Sequence, residues 1–368
     1  MNKFFAPLKS ADKIILLLVG MLGIISILML ESTVYDDGIV LARPVIVQAV
    51  SYVLGFVLLI VIQRIDYRFF MGLERYLYIA AMFLLLLVYV PGLGHEMYGS
   101  RAWIDLKITT LQPSEFVKIL FVLIMAGYLS ERREELTKLA GVIKALFVAA
   151  PIILVVLKED LGSALVYIVM WIFMVFFAGI DYKLFIKSAL ISLAAIPVVY
   201  KFLDDYQKER IEAFLHPDNL SLSGNYQVWQ SKVAIGSGGF FGKGLFNGTQ
   251  KSLDFIPVQQ SDFIFSVVVE ELGFIGGAVV IIIYGLMMTR FTSIIREASD
   301  LYGALIVVGF TAMFLFQAFE NIAMTMGMMP VTGITLPFLS GGGTSVIASM
   351  ISVGVIINVG INSKIIKF

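Results

Sequence analysis

The chain has 368 residues and a net charge of zero at neutral pH; 59% of its residues are hydrophobic and 15% are charged. Soluble domains contain roughly 45–50% apolar and about 25% charged residues, so this composition, with a mean hydropathy of +0.92, excludes an ordinary soluble protein. The sequence has no cysteine, which excludes disulfides and thiolate chemistry. Its two histidines are too far apart in sequence to favour a histidine metal site.

The apolar residues are bunched in runs of about 20, the length that an α-helix needs to cross a bilayer core of roughly 30 Å. The sequence therefore predicts an all-α polytopic membrane protein with about ten transmembrane helices, in a single domain over residues 1–368. In the long eighth run, three glycines at 273, 276 and 277 predict a bend. The ten predicted helices cover residues 14–31, 46–63, 76–92, 114–130, 139–157, 161–180, 183–202, 262–289, 302–322 and 343–362.

The lysines and arginines of the loops predict how the chain is oriented, because cytoplasmic loops carry an excess of these residues. With the N-terminus in the cytoplasm, the inner segments carry fourteen of them and the short outer loops carry four. The four outer ones are Arg43, Arg101, Lys107 and Lys158. Both termini are therefore predicted to be cytoplasmic, and residues 203–260 to form one long outer loop.

The first polar group at membrane depth lies in SRAWIDLKITTLQPSEFVKIL, residues 100–120. Glu115 and Lys118 are three residues apart, so they share a helix face and can neutralise each other. Ionisable residues inside a membrane bundle are functional candidates. A structural ion pair explains these two equally well, and Arg101 with Trp103 could be an interfacial anchor.

Two further polar groups lie in predicted outer segments. KEDLGSALVY places Lys158, Glu159 and Asp160 in a tight turn between two helices, where a solvated turn needs no function. In the long loop, GSGGFFGKG does not fit the P-loop pattern, which needs Gly-Lys-Ser/Thr at the start of a helix. Its glycines are expected to prevent a regular helix and to allow close approach to a ligand. Positive charge near them is supplied by Arg210, Lys232 and Lys243.

The stretch PVQQSDFIFSVVVEE carries three carboxylates, Asp262, Glu270 and Glu271, in an apolar run. Each costs on the order of 2.5–3.5 kcal/mol at a bilayer centre, so each needs a partner or a function. Asp262 could be a carboxylate at a helix N-terminus, stabilised by the helix dipole at about 0.3–1 kcal/mol. The two glutamates are expected to be structural, in a network with Glu320 and Asn321 of the ninth helix.

The last polar segment is NIAMTMGMMPVTGITLPFLSGGGTS, residues 321–345. Pro330, Gly333, Pro337 and the glycines 341–343 break helicity in an apolar context. Non-helical backbone at membrane depth is tolerated only where protein buries it or water reaches it. The pattern predicts a re-entrant element lining an outward-facing polar cavity, which leaves a transporter and a lipid-handling enzyme equally open.

These residues resemble the SEDS family (shape, elongation, division and sporulation). The most specific match is the C-terminal segment, where Asn321, Gly327, Pro330, Gly333, Phe338, Leu339, Ser340, Gly342, Gly343, Thr344 and Ser345 fall at the family spacing. AWIDLKITTLQPSEFVK, EDLGSAL, YQVWQSKVAIGSGGFFGKGL and SDFIFSVVVEELGFIGG also match, so the resemblance covers nearly the whole chain. GTQKSLDFIP is closer to the RodA branch than to the FtsW branch, whereas GITLPF leans the other way; the RodA branch is favoured.

Three positions depart from the family pattern. Gly341 stands where the family usually has Tyr, Ser or Ala. Before the key aspartate the family commonly reads Pro-Glu-x-His-Thr-Asp, and here Val258 and Gln260 replace the Glu and the His. The replacement removes two side chains that could form hydrogen bonds or bind a metal, and it leaves Asp262 in place.

The resemblance implies a peptidoglycan glycosyltransferase that polymerises lipid II into glycan strands, by inverting transfer, at the outer face of the bacterial cytoplasmic membrane. The branch implies a role in cell elongation and shape. The implied partners are a class B penicillin-binding protein, the growing glycan chain and membrane lipids, with no nucleic acid. A lipid II flippase and a non-catalytic scaffold for the penicillin-binding protein are the alternatives.

The resemblance also assigns roles to the polar groups. The family's essential acidic residue falls on Asp262, which would be the general base for the acceptor hydroxyl. The leaving pyrophosphate needs positive charge, for which a divalent cation such as Mg or Mn is a further candidate. The candidate substrate-binding residues are Arg101, Glu115, Lys118, Asp160, Arg210, Lys232 and Lys243.

Overall fold

The computed structural model describes residues 12–34, 42–97, 100–105, 110–201, 203–222, 224–249 and 258–365. Lys107 and most of the GTQKSLDFIP block lie outside the described residues. Within the described part, every predicted membrane run is helical, and two more helices lie in the long outer loop. The helices are α1 (Lys13–Val34), α2 (Arg43–Ile62), α3 (Glu74–Leu86), α4 (Pro113–Glu131), α5 (Leu139–Glu159), α6 (Leu161–Ala178), α7 (Tyr182–Lys201), α8 (Asp205–Leu215), α9 (Asn225–Gly238), α10 (Ile264–Glu297), α11 (Leu301–Thr325) and α12 (Gly343–Ile365).

Eight of these described helices are long and apolar enough to cross a membrane: α1, α2, α4, α5, α6, α10, α11 and α12. The prediction of an all-α polytopic fold is confirmed. The predicted third span is shorter than expected, because α3 has 13 residues and continues only as the 3-10 turn Leu87–Tyr89. The other 3-10 turns are Tyr67–Phe70 and Arg133–Thr137.

A small antiparallel sheet in the outer segment before α4 was not predicted. Its strands are β1 (Gly94–Met97), β2 (Ser100–Asp105) and β3 (Thr110–Leu111), in the order β1-β2-β3. Ile104 of β2 pairs with Gly94 of β1 on one side and with Leu111 of β3 on the other. Strands of two to six residues give too short an alternation of apolar and polar residues to be recognised from sequence.

The expectation that the loop glycines prevent a regular helix is wrong in part. Helix α9 passes through Gly236 and ends at Gly238, and the chain then turns at Gly239, whose φ is 56°. Gly238 fits because α9 packs tightly on α10: a methyl group at this position would lie 2.0 Å from the carbonyl oxygen of Val269. The missing side chain allows the two helices to approach, and this tertiary contact outweighs the low helix propensity of glycine.

Helix α10 bends at Gly273, where φ is 70° and ψ is −169°, so the predicted bend is confirmed. The bend removes helical hydrogen bonds, and the backbone of the outer loop replaces them. The amides of Lys243 and Gly244 donate to the carbonyls of Glu270 and Glu271, each at 3.0 Å. The loop is therefore joined to the bend by its main chain.

Residues 326–342, between α11 and α12, are non-helical, as predicted for a re-entrant element. Buried or partly buried polar side chains from α1, α2 and α10 donate hydrogen bonds to four consecutive carbonyls of this segment, those of residues 337–340. The donors are the hydroxyls of Tyr284, Tyr52 and Ser26 and the side-chain amide of Gln48. With its carbonyls satisfied by protein, the segment can leave helical geometry inside the bundle.

Candidate active site

Asp262 lies at the end of a turn that leads from the outer loop into α10. The residue at the N-cap position is Phe263, and no side chain caps this helix end. The Asp262 carboxylate instead accepts a hydrogen bond from the hydroxyl of Ser261 at 2.7 Å. The carboxylate is therefore not used to cap α10.

The backbone around Asp262 is held by the re-entrant segment. The side-chain amide of Asn321 donates to the carbonyls of Asp262 and Ile334, both at 2.8 Å. The amide of Gly341 donates to the carbonyl of Gln260 at 2.7 Å. Two of the positions that depart from the family pattern, Gln260 and Gly341, thus contact each other. These bonds place Asp262 against the segment that follows α11.

Arg210, from α8, comes near this carboxylate beside Gly333. A methyl group at Gly333 would lie 3.5 Å from Oδ2 of Asp262 and 3.9 Å from Nη1 of Arg210. Nη1 of Arg210 donates to the carbonyl of Thr332 at 2.9 Å. Gly333, with a φ of 76°, therefore leaves room for a carboxylate and a guanidinium to approach the same point.

The pKa of Asp262 is raised above its ordinary value of 3.8. Burial is the main cause, since it disfavours the charged carboxylate, and the charge of Asp160 adds to it. The hydrogen bond from Ser261 and the charge of Arg210 act in the opposite direction. A raised pKa makes a carboxylate a stronger base, as general base catalysis near neutral pH requires.

Arg210 and Lys232 line one cleft of about 130 Å³ beside the re-entrant segment. Its other walls are largely apolar, formed by α8, α9 and residues 327–331, and they include Phe214 and Trp229. Gly327 makes room for the cation, because a methyl group there would lie 2.8 Å from Cε of Lys232. The cleft combines positive charge with apolar walls, which suits an anionic group attached to an apolar one.

Asp160 is close enough to influence both Asp262 and Tyr206 electrostatically. Its carboxylate caps α6 by accepting from the amides of Gly162 and Ser163 at 3.2 and 2.8 Å. A solvated turn explains only part of the environment of Asp160, since this residue is half-buried. Asp160, Arg210 and Asp262 form one electrostatic cluster.

Glu115 and Lys118 form a buried ion pair in the first turns of α4, with Nζ of Lys118 2.6 Å from Oε1 of Glu115 and side-chain exposures of 3% and 8% for Lys118 and Glu115. The helix start is fixed by Tyr167, whose hydroxyl donates to the carbonyl of Ser114 at 2.6 Å. The predicted pairing is confirmed, and a role in substrate binding stays a prediction.

Lys243 lies outside the cleft lining and pairs with Glu270 at 2.7 Å. Oε1 of Glu270 also accepts from the amide of Thr249 at 2.9 Å. Glu271 accepts from the hydroxyl of Ser32, in α1, at 2.6 Å. The expected network of these two glutamates with Glu320 and Asn321 is therefore wrong, because Glu270 contacts the outer loop and Glu271 contacts α1. For Arg101, the structure describes only the backbone, in β2.

Sequence reasoning missed one residue of the site. The hydroxyl of Thr332 donates to the carboxylate of Glu320, and both side chains are buried. Thr332 stands between Pro330 and Gly333 in the helix-breaking segment, which is the only sequence signal for it. Threonine in such a segment is usually explained by local turn chemistry, so this contact could not be inferred.

Among the residues that the structure describes, no three acidic or histidine side chains are grouped so as to hold a metal ion. The divalent cation considered from the sequence stays a prediction. Arg210 and Lys232 are the cations that the described cleft supplies.

Comparison with known proteins agrees with the resemblance. Residues 10–365 match the model of the FtsW/RodA/SpoVE family, described as cell cycle proteins. The chain is 36% identical over 327 residues to stage V sporulation protein E of Bacillus subtilis (strain 168), with 88% of each chain covered. It is 33% identical over 315 residues to the peptidoglycan glycosyltransferase MrdB of Escherichia coli (strain K12), with 85% of each covered.

The fold is similar to a chain in a solved structure of a peptidoglycan synthase complex, which concerns the coordination of polymerization and crosslinking. The TM-score is 0.81 at 29% identity, over 96% of this chain and 98% of that one. Sequence and fold agree over almost the whole length of the relatives. The chain belongs to the FtsW/RodA/SpoVE family, the SEDS family of membrane proteins.

Proposed function

We propose that this protein, a peptidoglycan glycosyltransferase of the bacterial cytoplasmic membrane, uses Asp262 as the general base for polymerising lipid II at the outer face. The C4 hydroxyl of the acceptor sugar attacks the anomeric carbon of the donor, and its proton passes to the Asp262 carboxylate. The new C–O bond forms as the bond to undecaprenyl pyrophosphate breaks, and the leaving group keeps the electron pair. One displacement converts the α-linked donor into a β-linked product.

The observation that carries this proposal is the position of Asp262. Asp262 is partly buried and its pKa is raised. Its carboxylate and the guanidinium of Arg210 both lie next to Gly333, beside an outer cleft. A base must lie within roughly 2.6–3.2 Å of the hydroxyl that it deprotonates. The missing side chain at Gly333 leaves space beside the carboxylate, and this space is proposed to take the acceptor hydroxyl.

Arg210 and Lys232 are proposed to stabilise the pyrophosphate of the donor, with the polyprenyl chain leaving along the apolar walls of the cleft. Fixed cations aimed at developing negative charge act most strongly where water is excluded. Asp160 is proposed to act on Arg210 and Asp262 through its charge. Lys118 and Arg101 remain proposed contacts to the substrate, with Glu115 holding Lys118; Lys243 is proposed to act through the loop that it ties to Glu270.

The test is purified protein given labelled lipid II and assayed for glycan. We expect Asp262→Asn to lower the polymerisation rate by on the order of 10²–10⁴-fold, because Asn keeps the shape of the side chain but cannot accept the proton. Lipid II binding and monodispersity should be nearly unchanged. An Asn variant that polymerises at the wild-type rate would refute the assignment.

The partner is proposed to be a class B penicillin-binding protein in cell elongation, with the lipid-facing side of the bundle as its docking surface. Two observations support this: the similarity to a chain of a peptidoglycan synthase complex and the RodA-like GTQKSLDFIP block. Mild-detergent purification from a bacterium that expresses both proteins should recover the partner. Repeated failure to recover it would count against the proposal.

A further inference from the structure

Glu320, near the end of α11, is a fully buried carboxylate that the proposed mechanism does not use. Its Oε1 accepts the hydroxyl of Thr332, whose side chain is also buried. Burying a carboxylate costs free energy unless hydrogen bonds and charges offset the cost. The contact with Thr332 is therefore the first evidence for the role of this carboxylate.

Thr332 connects Glu320 to the proposed pyrophosphate site. Its hydroxyl contacts Glu320, and its backbone carbonyl accepts from Nη1 of Arg210 at 2.9 Å. Arg210, from α8, is half-buried and lines the cleft. A long arginine side chain loses much rotamer freedom when it is held in one position, so the place of that carbonyl determines where the guanidinium lies.

Gly333, the next residue along the chain, lies beside both this guanidinium and the proposed base. At Gly333, a methyl group would lie within 4 Å of both Asp262 and Arg210. Asn321, the neighbour of Glu320, holds the carbonyl of Asp262 at 2.8 Å. Two consecutive residues of α11 thus lead to the two partners: Asn321 holds the backbone of Asp262, and Glu320 contacts Thr332, whose carbonyl holds Arg210.

We propose that Glu320 is a positioning residue for glycosyl transfer, which fixes Thr332 so that its carbonyl orients Arg210 beside Asp262. In this proposal Glu320 acts through Thr332 and not by contact with the substrate. The proposal rests on the proposed roles of Asp262 and Arg210. It differs from a purely structural role, which would affect folding and leave the rate of the folded enzyme unchanged.

The decisive variant is Thr332→Val, because it removes the hydroxyl with little change of shape. A matched control is Ser32→Ala, which removes the hydroxyl that donates to another fully buried glutamate, Glu271. We expect Thr332→Val to lower kcat on the order of 10–100-fold, as a misplaced positioning group does. Thr332→Ser, which keeps the hydroxyl, should restore most of the rate, and Ser32→Ala should keep the wild-type rate.

A double-mutant cycle with Arg210→Lys separates positioning from folding. If Thr332 acts through the guanidinium, Thr332→Val should lower kcat little further in the Arg210→Lys protein, because both substitutions remove the same positioned guanidinium. Glu320→Ala should behave in the same way and Glu320→Gln, which keeps an acceptor oxygen, should be milder. Where Glu320→Ala fails to fold, the Thr332→Val cycle decides.

Two results would overturn the inference: full additivity in the cycle, or a folded Thr332→Val protein with the wild-type kcat. An inactive Asp262→Asn protein beside a fully active Thr332→Val protein would remove the positioning role and leave the proposed function standing. An active Asp262→Asn protein would remove the proposed function itself.

Discussion

Asp262 titrates in a site that disfavours its charge, and this has consequences for the dependence of both rate and stability on pH. Its pKa is raised, chiefly by burial. As a base it must be ionised, so we expect kcat/KM to rise with pH through this raised pKa and to level off above it. The pH–rate profile of the wild-type enzyme checks this. A profile with no such limb would contradict the assignment.

The same carboxylate and Asp300 should affect stability in opposite directions. Because the pKa of Asp262 is raised, its contribution to stability is present below the pKa of the unfolded state. This contribution is lost as the pH rises through the pKa of the folded state. For Asp300, burial alone would raise the pKa, but hydrogen bonds from Tyr67, Gly303 and Arg68 lower it. Its stabilisation is present above the unfolded pKa and lost as pH falls through the folded pKa.

The measurement is thermal unfolding of the wild type, Asp262→Asn and Asp300→Asn between about pH 3 and 7. We expect the stability of the wild type relative to Asp262→Asn to fall with rising pH. Relative to Asp300→Asn it should rise with pH. Equal slopes for the two comparisons would show that the two carboxylates do not differ in environment as described.

At the scale of elements, the ion pair of α4 can be tested for function apart from stability. Lys118→Met leaves Glu115 buried without its cation, which should destabilise the fold by about 3–5 kcal/mol. The double variant Glu115→Gln with Lys118→Met removes both charges and should recover most of that stability. We expect the double variant to stay slow, with a raised KM for lipid II. If instead its kinetics match the wild type, the pair is structural alone.

The contact of α9 with the bend of α10 gives a second test at this scale. Gly236 and Gly238 lie two residues apart in α9, but a methyl group meets nothing within 4 Å at Gly236 and lies 2.0 Å from a backbone oxygen at Gly238. We expect Gly238→Ala to lower the unfolding temperature strongly. Gly236→Ala should leave it unchanged or raise stability by up to about 1 kcal/mol. Similar effects from both would contradict the close packing of α9.

At the scale of the whole molecule, contacts join helix ends that the charge rule places on the same side. On the predicted inner side, Arg290 pairs with Asp12, and Tyr67 donates to Asp300 at 2.6 Å. On the predicted outer side, the hydroxyl of Thr344 donates to the carbonyl of Thr110 at 2.9 Å. The bundle therefore has polar contacts between helix ends on the predicted inner side and on the predicted outer side, as the prediction of two cytoplasmic termini requires.

The orientation can be measured by labelling, since the chain has no cysteine of its own. We expect Ser221→Cys, in the long outer loop, to react with an impermeant maleimide added outside intact cells. Glu134→Cys, an exposed position in a predicted cytoplasmic segment, should react only after the membrane is opened. The reverse pattern would overturn the topology.

The sequence by itself determined the membrane helices and the bend at Gly273, and it made Asp262 a candidate, because hydropathy, glycine conformation and the cost of a buried charge are local properties. It did not determine the partners of the charges. Glu270 and Glu271 were assigned to the wrong neighbours, and the link from Glu320 through Thr332 to Arg210 had no signal along the chain. Those contacts join residues 12 to 239 positions apart, and which carboxylate meets which donor is decided only when the helices pack and the re-entrant segment closes on them.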